Sequence, residues 1–205
     1  MTKHKDFKFM AESEIVIPAI DEKIIQRNET FLSHYNEKVI RFPEELAACF
    51  LKHHGGIPEK QCFRMPEGSV RMICRFCTLL DYDEIPVPEV MTWRSTESDI
   101  RYDYSLDFLM NADPYSSRLY QSRGVLVPFA VIDTEGHNAR SMHDMDLICL
   151  DYQESAEPSV VTWSFEESWA SPEETVKVAD SFAGLLEMLF ERPADFPCTN
   201  ECEYF

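Results

Sequence analysis

Glycine is scarce in this chain, with six among 205 residues. Phosphate cradles are built from glycine-rich loops, and neither a GxGxxG run nor a Walker loop occurs in the sequence. Long apolar runs are missing too. The longest, Val125 to Ile132, contains Pro128 and falls far short of the ~20 residues a membrane helix needs. The GxSxG elbow of serine hydrolases and the HExxH helix of zinc proteases are also absent. Positive charge is the last scarcity: 19 Lys and Arg stand against 37 Asp and Glu, for a formal net charge of −18. Nucleic-acid binding needs basic side chains to neutralise phosphates, so the balance argues against that class.

The residues that remain describe a globular chain. An apolar share of 44% with 12% aromatics is too high for a disordered polymer and enough for a real core. The length suits one domain. Asp6, Glu12 and Glu14 interrupt any apolar run near Lys3, Lys5 and Lys8, so no secretory segment is read and the expected location is cytoplasmic. The acidity is lopsided. From Asp144 to Phe205 there are 15 acids and two bases, Lys177 and Arg192, a net of −13, which leaves −5 for the first 143 residues. Two readings stay open, a solvated face that aids solubility or a patch for a cationic partner.

Periodicity predicts helices near both ends and strands between them. After Pro43 the stripe Leu46, Cys49, Phe50 and His53 has helical spacing, with Glu44 and Glu45 at the favourable end of the dipole. Gly55 can take the left-handed conformation that stops such a helix. Near the other end, Ser171, Pro172 and Glu174 form a capping-box pattern. Val178, Phe182, Leu185, Leu186 and Leu189 then mark one face up to Pro193, so a helix is expected from 171 onward. Strand-like runs cover 70–76, 125–132, 146–151 and 159–165. Helices do not alternate with these strands. The pattern therefore predicts an α+β fold, a mostly antiparallel sheet packed against helices, rather than parallel βαβ winding. Tyr102 to Asn111 could add a short helix.

Candidate chemistry is thin. Cys74 and Cys77 have CxxC spacing, but inside a strand such residues point to opposite faces, which suits neither a zinc knuckle nor a redox pair. Cys198 and Cys202 form a second loose pair in the tail. His137, His143, Asp144 and Asp146 are the one grouping that could suggest a metal-dependent enzyme. They lack the spacing of a known metal motif, and a polar loop entering a strand explains them as well. His53 and His54 fit a helix C-terminal turn better than a catalytic base. Trp163 reads as core, Trp93 is another candidate anchor, and Trp169 follows acids in an expected loop.

The order of residues 42–56, Phe-Pro-Glu-Glu-Leu-Ala-Ala-Cys-Phe-Leu-Lys-His-His-Gly-Gly, resembles the signature of the SUKH superfamily, the Smi/Knr relatives. Ile20, Ile24, Ile25 and Phe31 could line the short helix that precedes this motif in that family. Downstream, Val127-Pro128-Phe129-Ala130, the 146–151 run, Val160 to Trp163 and the stretch from Val178 to Leu186 resemble successive family elements in the right order. One stretch departs. Met142 to Asp146 stands where many members carry Gly-Gly-Asp.

The resemblance implies a non-catalytic protein that binds a cognate protein toxin, with no cofactor and no metal. It assigns no contact residues. Charge and expected exposure nominate Glu135, Asp144, Asp146, Glu166, Glu167, Trp169, Glu173 and Glu174, on an acidic face spanning 133–174. A nuclease toxin would be basic, and an acidic surface would speed its capture. A regulatory or scaffolding protein of the Smi/Knr type is the alternative, and a metal-dependent enzyme is the more distant one. Expected boundaries are an extension over 1–19, the domain over 20–192 and a tail over 193–205. Neither nucleic acid nor membrane is an expected partner, and the sequence does not fix the oligomeric state.

Overall fold

A computed structural model describes residues 7–11, 20–53, 55–79, 106, 125–133, 146–164, 167 and 174–196. Helix α1 spans Glu22–Tyr35. Asp21 caps it, its carboxylate accepting from the N–H of Lys23 at 2.9 Å and of Ile24 at 3.0 Å. Ile25, Asn28, Glu29 and Leu32, at helical spacing, form its buried side. The two polar members are satisfied. Asn28 donates to the Ile24 carbonyl at 2.9 Å, and Glu29 accepts the Phe42 N–H at 2.8 Å.

Helix α2, Glu44–Lys52, follows Pro43, which stands just outside the first turn. Leu46, Cys49 and Phe50 are its buried residues, as the stripe predicts. His53 ends the helix, and Gly55, at φ 67°, turns the chain out of it in the left-handed region.

Strands β1 (Cys62–Arg64), β2 (Val70–Phe76), β3 (Leu126–Ile132), β4 (Asp146–Asp151), β5 (Ser159–Trp163) and β6 (Thr175–Ala179) form one sheet in sequence order, every neighbouring pair antiparallel. Helix α3, Phe182–Met188, is the last described helix. This is the α+β fold expected. The central strands are covered on both faces: β3 is buried throughout, and β4 in all but its last residue. In register, Leu147 lies between Val131 and Trp163, all three buried.

Helix α3 seats Phe182 against Phe129 at 5.2 Å and Phe76 at 6.3 Å between ring centroids. Phe76 also meets Phe9, at 5.5 Å. Residues 7–11 reach this position by bonding to the segment after α2. Met10 donates to the Ile57 carbonyl at 2.8 Å, and Glu59 to that of Lys8 at 3.0 Å.

One expectation is corrected. The helix predicted from Ser171 does not begin there: Thr175–Ala179 is strand β6, and the helix starts at Phe182. Its N-cap is Ser181, whose hydroxyl accepts the Gly184 N–H at 3.1 Å. The cause lies in the short alternating run Thr-Val-Lys-Val-Ala. Its β-branched residues pair with β5, and that long-range pairing outweighs a local capping pattern. Strand β1 is an addition that no pattern in the sequence predicts.

The two edges of the sheet differ. At the β1 edge, Cys62 and Phe190 exchange backbone hydrogen bonds of 3.0 and 2.9 Å, so the segment leaving α3 covers that strand. At the other edge, no residue of β6 is buried.

Candidate partner-binding surface

The turn between β4 and β5 is short and exposed. Asp151 accepts the Gln153 N–H at 2.8 Å, and the Ser155 hydroxyl accepts the Glu157 N–H at 3.1 Å, so side chains hold the turn where no ladder does. Residues 153–157 all face solvent, placing Glu154 and Glu157 on the surface. Beneath, Lys38 donates to the carbonyls of Tyr152 and of Gln153 (2.9 Å for the latter), and the Tyr152 hydroxyl donates to the Arg41 carbonyl at 2.6 Å. These bonds fasten the α1–α2 connection to the base of the turn. Burial holds the Tyr152 hydroxyl well above its usual pKa, so it stays a neutral donor.

Strand β6 carries the next charges. Lys177 pairs with Asp180 at 2.6 Å. That hydrogen bond lowers the Asp180 carboxyl, and it raises the Lys177 ammonium, helped by Asp180 itself, Glu154 and Asp151. Asp180, Glu154 and Asp151 thus share one electrostatic neighbourhood around Lys177, linking the β4–β5 turn to β6. Glu174, just before β6, and Glu167 are exposed as expected.

Asp146 is placed differently. The exposure expected of it is wrong: it is buried and held by Arg71 Nη2 at 2.8 Å. Arg71 also meets Asp133 Oδ1 at 3.3 Å and donates to the Asp133 carbonyl, while Asp133 accepts the Met72 N–H at 2.6 Å. Two carboxylates share one guanidinium. Burial alone would lower the Arg71 pKa, but the two acids reverse the sign and it is raised. Burial raises the Asp133 carboxyl, and Arg71 offsets only part of that. This triad ties β2, β3 and β4 together. Its parts are far apart in sequence, so no motif could have announced it.

Glu135, Asp144, Glu166, Trp169 and Glu173 lie outside the described residues, as do His54, His137, His143, Trp93, Cys198 and Cys202. Sequence reasoning did not single out Asp151, Glu154, Glu157 and Asp180. The signal was present: 151–158 is an acidic, proline-ended link between two apolar strand runs.

The five described cysteines are all buried. Cys74 and Cys77 are buried, and desolvation raises the Cys77 thiol well above its usual range. It also lifts Cys49 to about 12 and Cys62 to about 11. Among the described residues no group of three His, Cys, Asp or Glu side chains is arranged to hold a metal ion. No described helix is long and apolar enough to cross a membrane.

Among the described residues, an antiparallel sheet with helices packed on it ends in an exposed, acidic turn. Residues 20–188 match the family described as SMI1 / KNR4 family (SUKH-1), and this chain belongs to that family. No curated protein and no solved structure shows a significant match to it.

Proposed function

We propose that this chain is an immunity protein that neutralises a cognate basic toxin, a nuclease being the class its charge suits best. Family membership over residues 20–188 carries the reading, because the family supports an immunity or Smi/Knr-type interaction role and its members are generally non-catalytic. The charge adds to it. A chain of net −18 attracts a basic partner from a distance and repels acidic bystanders. Glu167 and Glu174, together with the acids of the β4–β5 turn and Asp180, form the described part of the contact surface. Glu135, Asp144, Glu166, Trp169 and Glu173 complete it in this proposal. Asp146 does not belong, because its carboxylate is spent on Arg71.

The test is survival: cells producing the toxin encoded beside this gene should live when the chain is co-expressed and die without it. A complex that forms with no toxic partner would favour the regulatory alternative. Association should also slow steeply between ~0.05 and ~0.5 M salt, where the screening length shrinks below the reach of surface charges. A rate that ignores salt would break the link between acidity and capture.

A further inference from the structure

From the unequal edges of the sheet we infer that β6 receives an extended, positively charged segment of a partner protein as a seventh strand, an inference that rests on the neutralisation reading. Every strand exposes alternate backbone N–H and C=O groups on each side, and an edge strand leaves one side without a ladder. The β1 edge is taken by Phe190. The β6 edge pairs with β5 and with no other described strand. Val178 and Ala179 pack half-buried against the core, whereas Val176, 37% exposed, and Lys177 face solvent, so the middle of the strand is open to an incoming chain. Thr175, Val176 and Val178 are β-branched, the residue type that packs best across strands.

Charge selects the occupant. Glu174 precedes β6, Asp180 follows it, and Asp151 and Glu154 act on it from the neighbouring turn. The one lysine of the strand, Lys177, is engaged by Asp180. A basic strand gains from this surround, and an acidic one is repelled. A second copy of the chain fits poorly. A two-fold pair of β6 strands centred on Lys177 would set that lysine against its own copy, a like-charge opposition that weakens sheets.

The probe is a short, end-capped peptide of alternating Lys and Val, compared with its Glu–Val counterpart and with a Lys–Val peptide interrupted by proline. Each is titrated into the full chain and followed by amide NMR shifts and exchange. We expect shifts and new amide protection centred on 175–179, and binding about tenfold tighter for the Lys peptide than for the Glu peptide. The proline peptide should lose it, because it cannot complete a ladder. Val176→Lys, at an exposed position, should abolish the response, whereas Val39→Lys, at the more exposed Val39, should not.

No binding at millimolar peptide overturns the inference. So does an equal response to the proline peptide, which would mean charge attraction without pairing. A concentration-dependent dimer removed by Val176→Lys would give the edge to a second copy and overturn the basic-strand assignment. Survival in the toxin assay is read separately. Rescue with a silent edge sinks this inference alone, and a responsive edge without rescue sinks the neutralisation reading alone.

Discussion

Strands β4 and β6 flank the same strand of one sheet, yet they meet water in opposite ways. Asp-Leu-Ile-Cys-Leu-Asp of β4 is buried from Asp146 to Leu150, whereas Thr-Val-Lys-Val-Ala of β6 buries none of its five residues. Both pair with β5. The difference is a division of labour. A run apolar at successive positions can be covered on both faces and fixes the centre of the fold. A run with a lysine in its middle stays at the rim and remains open to contact. Stability should therefore reside in β2 to β5, and the surface proposed for recognition, β6 and the turn beside it, should contribute little to it.

The sharpest test of this contrast replaces one side chain in each region. Trp163→Ala empties a fully buried site on β5 and should cost ~3–5 kcal/mol, read as a lower urea midpoint. Val176→Ala on β6 should cost less than ~0.5 kcal/mol. Similar losses at the two sites would erase the distinction.

Next in size is the triad that ties the central strands. Arg71→Met leaves Asp133 and Asp146 buried without their cation and should cost ~3–5 kcal/mol at neutral pH. The pH dependence follows from Asp133, whose carboxyl is raised above 3.8 by burial. As pH falls, the folded protein takes up that proton before the unfolded chain does. The Asp133 contribution to stability therefore grows on acidification toward 3.8 and is lost as pH rises back through the raised value. In the Arg71→Met variant this effect is no longer offset by the guanidinium, so the penalty should be smaller at pH ~5 than at pH ~7. Equal penalties at both would contradict the sharing of one guanidinium by two acids.

Smaller effects test how loops are fastened to the centre. A Cβ on Gly56 would sit 2.7 Å from Phe9 Cδ1. Gly56→Ala should therefore displace Phe9 at a cost of ~1–3 kcal/mol. Amide exchange should quicken at Met10 and Glu59, whose hydrogen bonds hold residues 7–11 in place. Tyr152→Phe removes the bond to the Arg41 carbonyl and should cost ~1 kcal/mol, measured by thermal unfolding.

The central strands were legible because each is a compact apolar run bounded by turn residues. Helix α2 was legible because its buried face recurs at helical spacing, whereas α1 was expected only from the family resemblance, and of Ile20, Ile24, Ile25 and Phe31 the structure buries only Ile25 fully. Strand β6 escapes such a reading for a physical reason. Ser171, Pro172 and Glu174 satisfy a local rule, and Val178, Phe182, Leu185 and Leu186 happen to keep helical spacing across a strand-to-helix junction. Only pairing with Val160 to Trp163 reveals the strand, and pairing is not a property of the segment itself. The same limit hides the burial of Asp146, which reads as one more surface acid because its partner lies on β2. Of the nominated residues, Glu167 and Glu174 are exposed, as charge alone suggests, whereas only the hairpin shows that the acids of the β4–β5 turn lie beside β6.

The meander has a consequence for the order in which the chain is made. Each described strand from β2 to β6 pairs with the described strand that precedes it, so the sheet can grow as the polypeptide leaves the ribosome. Cys62 must wait for Phe190, 128 positions later, before its outer side is covered. Until Phe190 has been made, the outer side of β1 is therefore open as well as that of β6, and among the described strands the Cys62–Phe190 pairing leaves only the β6 margin bare.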